Sequence, residues 1–309
     1  MCSMEIGPTT TFWQGFWRLA DPKISLASFA SIFLGACIAA ADGSLHFGWL
    51  AVTVLGIFAI EVAKNASGEI YDWNSGNDQA VQAEDRSPFS GGKRVLIDHL
   101  LTKNQTAGIA LTCYLLGGAA GLSIIFWREP AILWLGVIGI ALAFFYHAPP
   151  LKLSYRGLGE LAVAVVYGPM ISAGTYLVQR GSISIEVIAV SSLLGILIGS
   201  FLLINEFPDY HADKSAGKRT LVVKFGRRPA SRIYLWLLAS TFALLVALPL
   251  FQFPLTLWLG LIAVIPAYSA AKQLTQNFET TSEIIPAQAN TLLAFLLFSL
   301  GAGIGFLLA

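Results

Sequence analysis

Nine apolar runs divide this chain, at 24–41, 46–66, 104–126, 131–148, 158–178, 185–206, 230–250, 255–271 and 287–308. A helix needs about 20 apolar residues to cross a bilayer, so each run predicts a transmembrane helix. The runs lack the period-2 alternation of lipid-facing strands, which argues against a closed barrel. Composition agrees: 56% of the 309 residues are hydrophobic and only 12% are charged, where a soluble domain carries about 25%. The expected fold is an all-α polytopic membrane protein, with about nine transmembrane helices around a central cavity and one embedded domain over residues 1–309.

Charge placement predicts the orientation. Fifteen of the 19 Lys and Arg residues fall on the connections after the second, fourth, sixth and eighth runs or on their flanks, Lys64 among them. Only Arg128 and Arg180 fall on the opposite connections. By the positive-inside rule the N-terminus is cytoplasmic, and an odd number of spans leaves the C-terminus outside. Residues 1–23 place Phe12, Trp13, Phe16 and Trp17 beside Arg18 and Lys23 without a long apolar core, which suits an interfacial segment better than a cleavable signal. Cys2, Cys37 and Cys113 are isolated, so neither a disulfide framework nor a zinc site is expected. The net charge of +1 gives no footing for nucleic-acid binding. The sequence names no protein partner.

Two long cytoplasmic connections, 67–103 and 207–229, carry the chemistry. Each follows a run that ends in Asn and carboxylates. In the first, Asn65, Glu69 and Asp72 fall at i, i+4 and i+7 on one helix face, and Gly76 permits a turn that could fold Asp78 back toward them. In the second, Asn205, Asp209 and Asp213 fall at i, i+4 and i+8, with Lys214, Lys218 and Arg219 following. The two motif-bearing runs are four helices apart, which hints at a duplicated four-helix unit plus a ninth helix. Ionisable groups at the edge of hydrocarbon are costly, so this pattern asks for a ligand. Magnesium prefers a few carboxylates together with phosphate oxygens, and Lys and Arg can neutralise the outer oxygens. Arg86, Lys93, Arg94, Lys152, Lys218 and Arg219 are the candidate partners. The alternative is that these acids and bases form ion pairs that anchor loops at the interface.

Three blocks resemble the UbiA superfamily of intramembrane prenyltransferases over nearly the whole length. They are NEFPDYHADKSAGKRTLVVKFG from Asn205, YHAPPLKLSYRGLGE from Tyr146, and the first acidic motif followed by DRSPFSGG from Asp85. The second block is most similar to the branch that prenylates 1,4-dihydroxy-2-naphthoate in menaquinone biosynthesis. One departure is local: the family usually has Asn-Asp where this chain has Gly68-Glu69. The resemblance implies a UbiA-like fold in a bacterial or archaeal cytoplasmic membrane. It also implies Mg2+-dependent transfer of a polyprenyl group from its diphosphate to an aromatic acceptor. Under it, Glu69, Asp72, Asp78, Asn205, Asp209 and Asp213 hold the metal, and Asp72, Asp209, Asp213 and Lys218 are catalytic. Asn65, Arg86, Lys93, Tyr146, Lys152, Arg156 and Arg219 bind substrate, with Lys152 and Arg156 orienting the acceptor's carboxylate. Tyr71, Tyr146 and Phe145 are candidates to stabilise an allylic cation.

Two other readings stay open at this point. A secondary transporter could use intramembrane acids as an ion relay, though here they gather at one membrane face rather than at the midplane. A prenyltransferase could also take another acceptor, such as 4-hydroxybenzoate, homogentisate, a tetrapyrrole or a glycerol phosphate.

Overall fold

The computed structural model describes residues 8–309; the first seven residues of the expected interfacial segment, with Cys2, lie outside the described residues. Pro8–Ala20 (α1) meets Pro22–Ala41 (α2) at Asp21, whose φ of 42° bends the pair by 49°. Phe47–Ser75 (α3) is followed by the short Asn77–Ala80 (α4), then Lys103–Trp127 (α5) and Ile132–Phe145 (α6). Gly159–Val165 (α7), a π turn at Val166–Met170 and Ile171–Arg180 (α8) make one span. Next come Ile185–Asn205 (α9), two short helices at Tyr210–Ser215 (α10) and Leu221–Phe225 (α11), and Arg227–Ala247 (α12). A 3-10 stretch at Leu255–Ala263 runs into Val264–Gln276 (α13), and Thr281–Leu307 (α14) closes the chain.

Seven of these helical units are long and apolar enough to cross a membrane, and the bent α1–α2 pair makes an eighth. The ninth expected span is α6, whose 14 residues reach only about 21 Å. Nine spans is therefore an approximate count. Helix ends follow local chemistry. Thr102 and Gln105 form a capping box at the start of α5, and Gly76 ends α3 in the left-handed region at φ 78°. That end lies nine residues past the expected limit of the second run, so α3 carries Asn65, Glu69 and Asp72 of the first motif inside one helix, with Asp78 beyond it in α4.

The centre of the bundle is α9, 72% of whose most apolar stretch is buried, against 22% for the helices α5 and α12. It packs against α12, α14 and the α7–α8 span, burying Leu194, Leu197, Ile198 and Phe201. α5 and α12 instead expose Leu111, Leu115, Leu116 and Trp236, as lipid-facing helices do. The π turn touches α9 where Gly168 faces Gly195: a Cβ on Gly195 would sit 2.2 Å from the Ala164 carbonyl oxygen. Backbone cannot yield as a side chain can. Gly195→Ala is expected to cost about 1–3 kcal/mol, read as a lower thermal-unfolding midpoint in detergent.

Candidate active site

The second motif does not lie on one continuous helix as its spacing predicts. α9 ends at Asn205, the chain passes through tight turns over Glu206–Asp209, and α10 starts at Tyr210. Pro208 is the cause, since it has no N–H to donate and disfavours helical geometry at Phe207. The break separates the motif's members. Asn205 stays in the bundle, where its Oδ1 accepts a 3.0 Å bond from Gln288 Nε2. Asp209 and Asp213 move to the membrane face, linked by the 2.8 Å bond from Asp213 N–H to the Asp209 carbonyl.

Asp72 and Asp78 of the first motif arrive at the same place. The turn at Gly76 leads into α4, which packs on α10 and leaves Asp78 3% exposed. Burial, then the charges of Asp72 and Glu69, push the Asp78 carboxyl up to about 8. Burial, then Asp213, push Asp209 up to about 7. Lys218 counters them. Burial alone would strip its proton, but Asp213, Asp72 and Asp209 together hold it well above the ordinary lysine range. Its Nζ stands 3.3 Å from Asp213 Oδ1.

The loop between the motifs supplies backbone groups. Gly91 N–H donates to Asp209 Oδ2 at 3.3 Å. Gly92, at φ 75°, presses on Asp78 so closely that a Cβ would lie 2.6 Å from its Oδ1. Only glycine tolerates both conditions.

Two residues of the Tyr146–Glu160 block close the third side. Tyr155 donates its hydroxyl to Asp72 Oδ1 at 2.7 Å and shares a 2.9 Å contact with Ser75 Oγ. Burial and then Asp72 raise the Tyr155 phenol, so it remains a donor. His147 Nδ1 lies 3.8 Å from Asp72 Oδ2, and burial lowers its imidazole to about 4, so it is neutral there. Neither contact is visible in helical spacing. The signal that could have found them is that both residues sit in a conspicuous polar block beside Pro149 and Pro150.

Other expected site residues have partners of their own. Asn65 Nδ2 donates to the Leu19 carbonyl at 2.9 Å, tying α3 to α1. Glu69 Oε1 accepts from Leu96 N–H at 2.9 Å, leaving Oε2 without a hydrogen bond. Lys93 is ion-paired with Asp21 at the α1–α2 bend. Arg156 Nη2 donates to the Pro150 carbonyl at 2.8 Å. Arg86, Lys152 and Arg219 are exposed, Lys152 with its ammonium over the Tyr155 ring. Tyr146 lines an apolar cavity of about 360 Å³, whereas Tyr71 and Phe145 are not among its lining residues. Lys64, expected on a cytoplasmic flank, lines the same cavity.

Among the described residues, no three Asp, Glu, His or Cys side chains converge closely enough to hold a metal ion by themselves. The donor set nevertheless fits a cation shared with a phosphorylated ligand. Asp209 Oδ1 and Asp213 Oδ2 are buried and accept no hydrogen bond, and hard oxygen donors of this kind suit magnesium that keeps other oxygens in its shell.

Tyr146 joins the two regions. It borders the cavity and lies within electrostatic reach of both Lys218 and Asp72. An acidic cluster joined through Tyr146 to an apolar cavity, inside a bundle of helices long and apolar enough to cross a membrane, defines an integral membrane protein with a charged site beside an apolar one. The chain belongs to the UbiA prenyltransferase family, whose sequence profile matches residues 28–285. It is similar to a 1,4-dihydroxy-2-naphthoate octaprenyltransferase of Mycobacterium tuberculosis, with 30% identity over 82% of this chain and 83% of that one. A protein of the same description from Bacillus subtilis is 27% identical over 92% and 91% of the two chains. Among solved structures, a UbiA homolog from Archaeoglobus fulgidus bound to GPP and Mg2+ superposes with a TM-score of 0.61 at 13% identity, over 96% of this chain and all of that one.

Proposed function

We propose that this prenyltransferase moves a polyprenyl group from its diphosphate to 1,4-dihydroxy-2-naphthoate, giving demethylmenaquinol, the reduced form of demethylmenaquinone, with carbon dioxide and diphosphate. One observation carries the reading: Asp72, Asp78, Asp209, Asp213 and Lys218 form one charged cluster within electrostatic reach of Tyr146, and Tyr146 borders an apolar cavity, a pairing that suits an amphiphilic diphosphate. The naphthoate acceptor is supported by the relatives of that description, which match most of the chain. We take residues 1–309 as one catalytic unit with its acids on the cytoplasmic side, the orientation that the Lys and Arg distribution favours.

Asp72, Asp78, Asp209 and Asp213 would hold Mg2+, with Glu69 Oε2 and Asn205 at the margins of the set. When bound, magnesium supplies charge that stabilises a departing diphosphate. The chain's own groups do the rest. Lys218 faces the diphosphate with a fixed positive charge. Tyr155 holds Asp72 in one orientation by its hydroxyl. The Gly91–Gly92 turn holds the Asp209 and Asp78 carboxylates from behind. Lys93 reaches the diphosphate only if it leaves Asp21, whereas Arg86 is exposed and carries no such ion pair among the described residues. The cavity wall keeps water from the allylic carbon.

Membranes containing the protein are expected to convert labelled polyprenyl diphosphate when Mg2+ and 1,4-dihydroxy-2-naphthoate are present, and to lose conversion with EDTA. The same assay with 4-hydroxybenzoate, homogentisate, a chlorophyllide and glycerol phosphate tests the acceptor. Product with one of these alone would reject the naphthoate and keep the reaction type. Diphosphate-independent solute uptake into vesicles would favour transport instead.

A further inference from the structure

The cavity lies between α3, α5, α6 and the α7–α8 span, and two of its lining residues are charged. Glu61 and Lys64 enter it from α3, beside Tyr146 and Tyr167. Glu61 is 6% exposed and neither of its oxygens accepts a well-formed hydrogen bond, although the hydroxyls of Ser25, Ser28 and Tyr167 stand next to it. Lys64 attracts Glu61 without closing to salt-bridge distance, and its one hydrogen bond is a long 3.4 Å contact to the Tyr167 hydroxyl. Its Nζ sits 5.8 Å from the ring centres of both Tyr146 and Tyr167. Two opposite charges held in hydrocarbon without full partners are costly unless a ligand completes them.

The backbone is arranged to bring Tyr167 to this point. The π turn at Val166–Met170 contains Pro169, and the Tyr167 carbonyl is taken up by the Ser31 hydroxyl of α2. Departures of this kind from α geometry recur at functional sites. The result is a slot with a cation, an anion and two phenol rings, opening on an apolar chamber.

We propose that this slot is the acceptor subsite, and that it takes an aromatic carboxylic acid with a hydroxyl on the neighbouring ring carbon. Lys64 pairs with the carboxylate, Glu61 accepts from the hydroxyl, and Tyr146 and Tyr167 flank the ring. The assignment rests on the function proposed above and deepens it. It moves the acceptor's anion away from Lys152 and Arg156, which are exposed at the membrane face, Arg156 being bound to the Pro150 carbonyl. In the transfer, the allylic C–O bond breaks and its electron pair leaves with the diphosphate. The ring carbon bearing the carboxylate supplies the pair for the new C–C bond. Glu61 takes the hydroxyl proton as that ring oxygen becomes a carbonyl. Loss of carbon dioxide returns a pair to the ring, and the oxygen recovers its proton from Glu61.

The test is initial-rate kinetics on purified protein in lipid nanodiscs with Mg2+, polyprenyl diphosphate and 1,4-dihydroxy-2-naphthoate, together with direct binding of the polyprenyl diphosphate. Lys64→Met is expected to raise the acceptor KM by about tenfold or more and to leave the KM for polyprenyl diphosphate unchanged. Lys64→Arg, which keeps the cation, recovers most of that loss. Glu61→Gln is expected to lower kcat by about 10²-fold with little change in acceptor KM. An acceptor KM in Lys64→Met equal to that of the unaltered protein overturns the assignment. If Lys64→Met no longer binds polyprenyl diphosphate, Tyr167→Leu, which removes one flanking ring, decides: a raised acceptor KM supports the subsite and an unchanged one overturns it. Failure of the underlying function looks different. The unaltered protein then binds polyprenyl diphosphate yet prenylates no hydroxyaryl acid, which overturns both.

Discussion

Asp209→Asn is expected to lower prenyl transfer by about 10³-fold, the scale lost when one preorganised charge contact to a transition state is removed. The substitution is nearly isosteric, and its remaining carbonyl oxygen can still accept from Gly91 N–H, so the loop that packs on it stays in place. What changes is charge. Without a bound cation Asp209 would be an unfavourable carboxylate, its pKa pushed up to about 7 by burial and by Asp213. A carboxyl whose folded pKa is raised destabilises the fold as pH climbs from the ordinary range through about 7. The amide removes that penalty. Asp209→Asn should therefore unfold at the same temperature as the unaltered protein or higher when assayed at pH 8 without magnesium, while losing activity at every magnesium concentration. Full activity at saturating magnesium would remove Asp209 from the metal set. Asp72→Asn should lose activity comparably, and it also disturbs Tyr155, which donates to Asp72 at 2.7 Å.

The contrast between stability and activity explains which parts of the site were legible in the sequence. Both acidic motifs could be read because carboxylates at the edge of hydrocarbon break a strong compositional rule. Helical spacing then placed Asp72 correctly, because α3 is continuous through Ser75. The same spacing failed for Asn205, Asp209 and Asp213, where Pro208 interrupts the helix. Proline was visible in the sequence, and its effect on the residue before it was the missing step. Asn65 and Asn205 hold ligand positions in the motifs, and their amides also tie α3 to α1 and α9 to α14. No local pattern distinguishes a buried amide that joins two helices from one that faces a ligand.

Long-range contacts were hidden for a different reason. Tyr155 and His147 meet Asp72 across more than seventy residues, so their pairing depends on how the spans pack. Glu61 and Lys64 were open to a local reading, since two charges within an apolar run of α3 are as anomalous as the motifs themselves. Lys64 counts as a flank only for a run that ends at residue 66. With α3 extending to Ser75, Lys64 lies two turns or more inside the helix end and faces the cavity.

Lys218→Met carries the second large effect, and it separates two jobs that one ammonium performs. Lys218 is the cation among Asp72, Asp209 and Asp213, with Nζ 3.3 Å from Asp213 Oδ1. Removing one member of a buried charged cluster leaves the others uncompensated, at about 3–5 kcal/mol. The expected result without magnesium is a clear fall in the thermal-unfolding midpoint, opposite in sign to that of Asp209→Asn. Magnesium with polyprenyl diphosphate can replace the missing positive charge around the acids, so the midpoint gap between Lys218→Met and the unaltered protein should narrow when both are added. Activity should not recover with it. If Lys218 also meets charge developing on the diphosphate, kcat remains about 10²-fold or more below normal at saturating magnesium and substrate. A variant that regains both stability and kcat under those conditions would make Lys218 a purely structural counter-ion. One that keeps its midpoint without magnesium would show that the acids hold their own protons in the empty site and do not rely on the lysine.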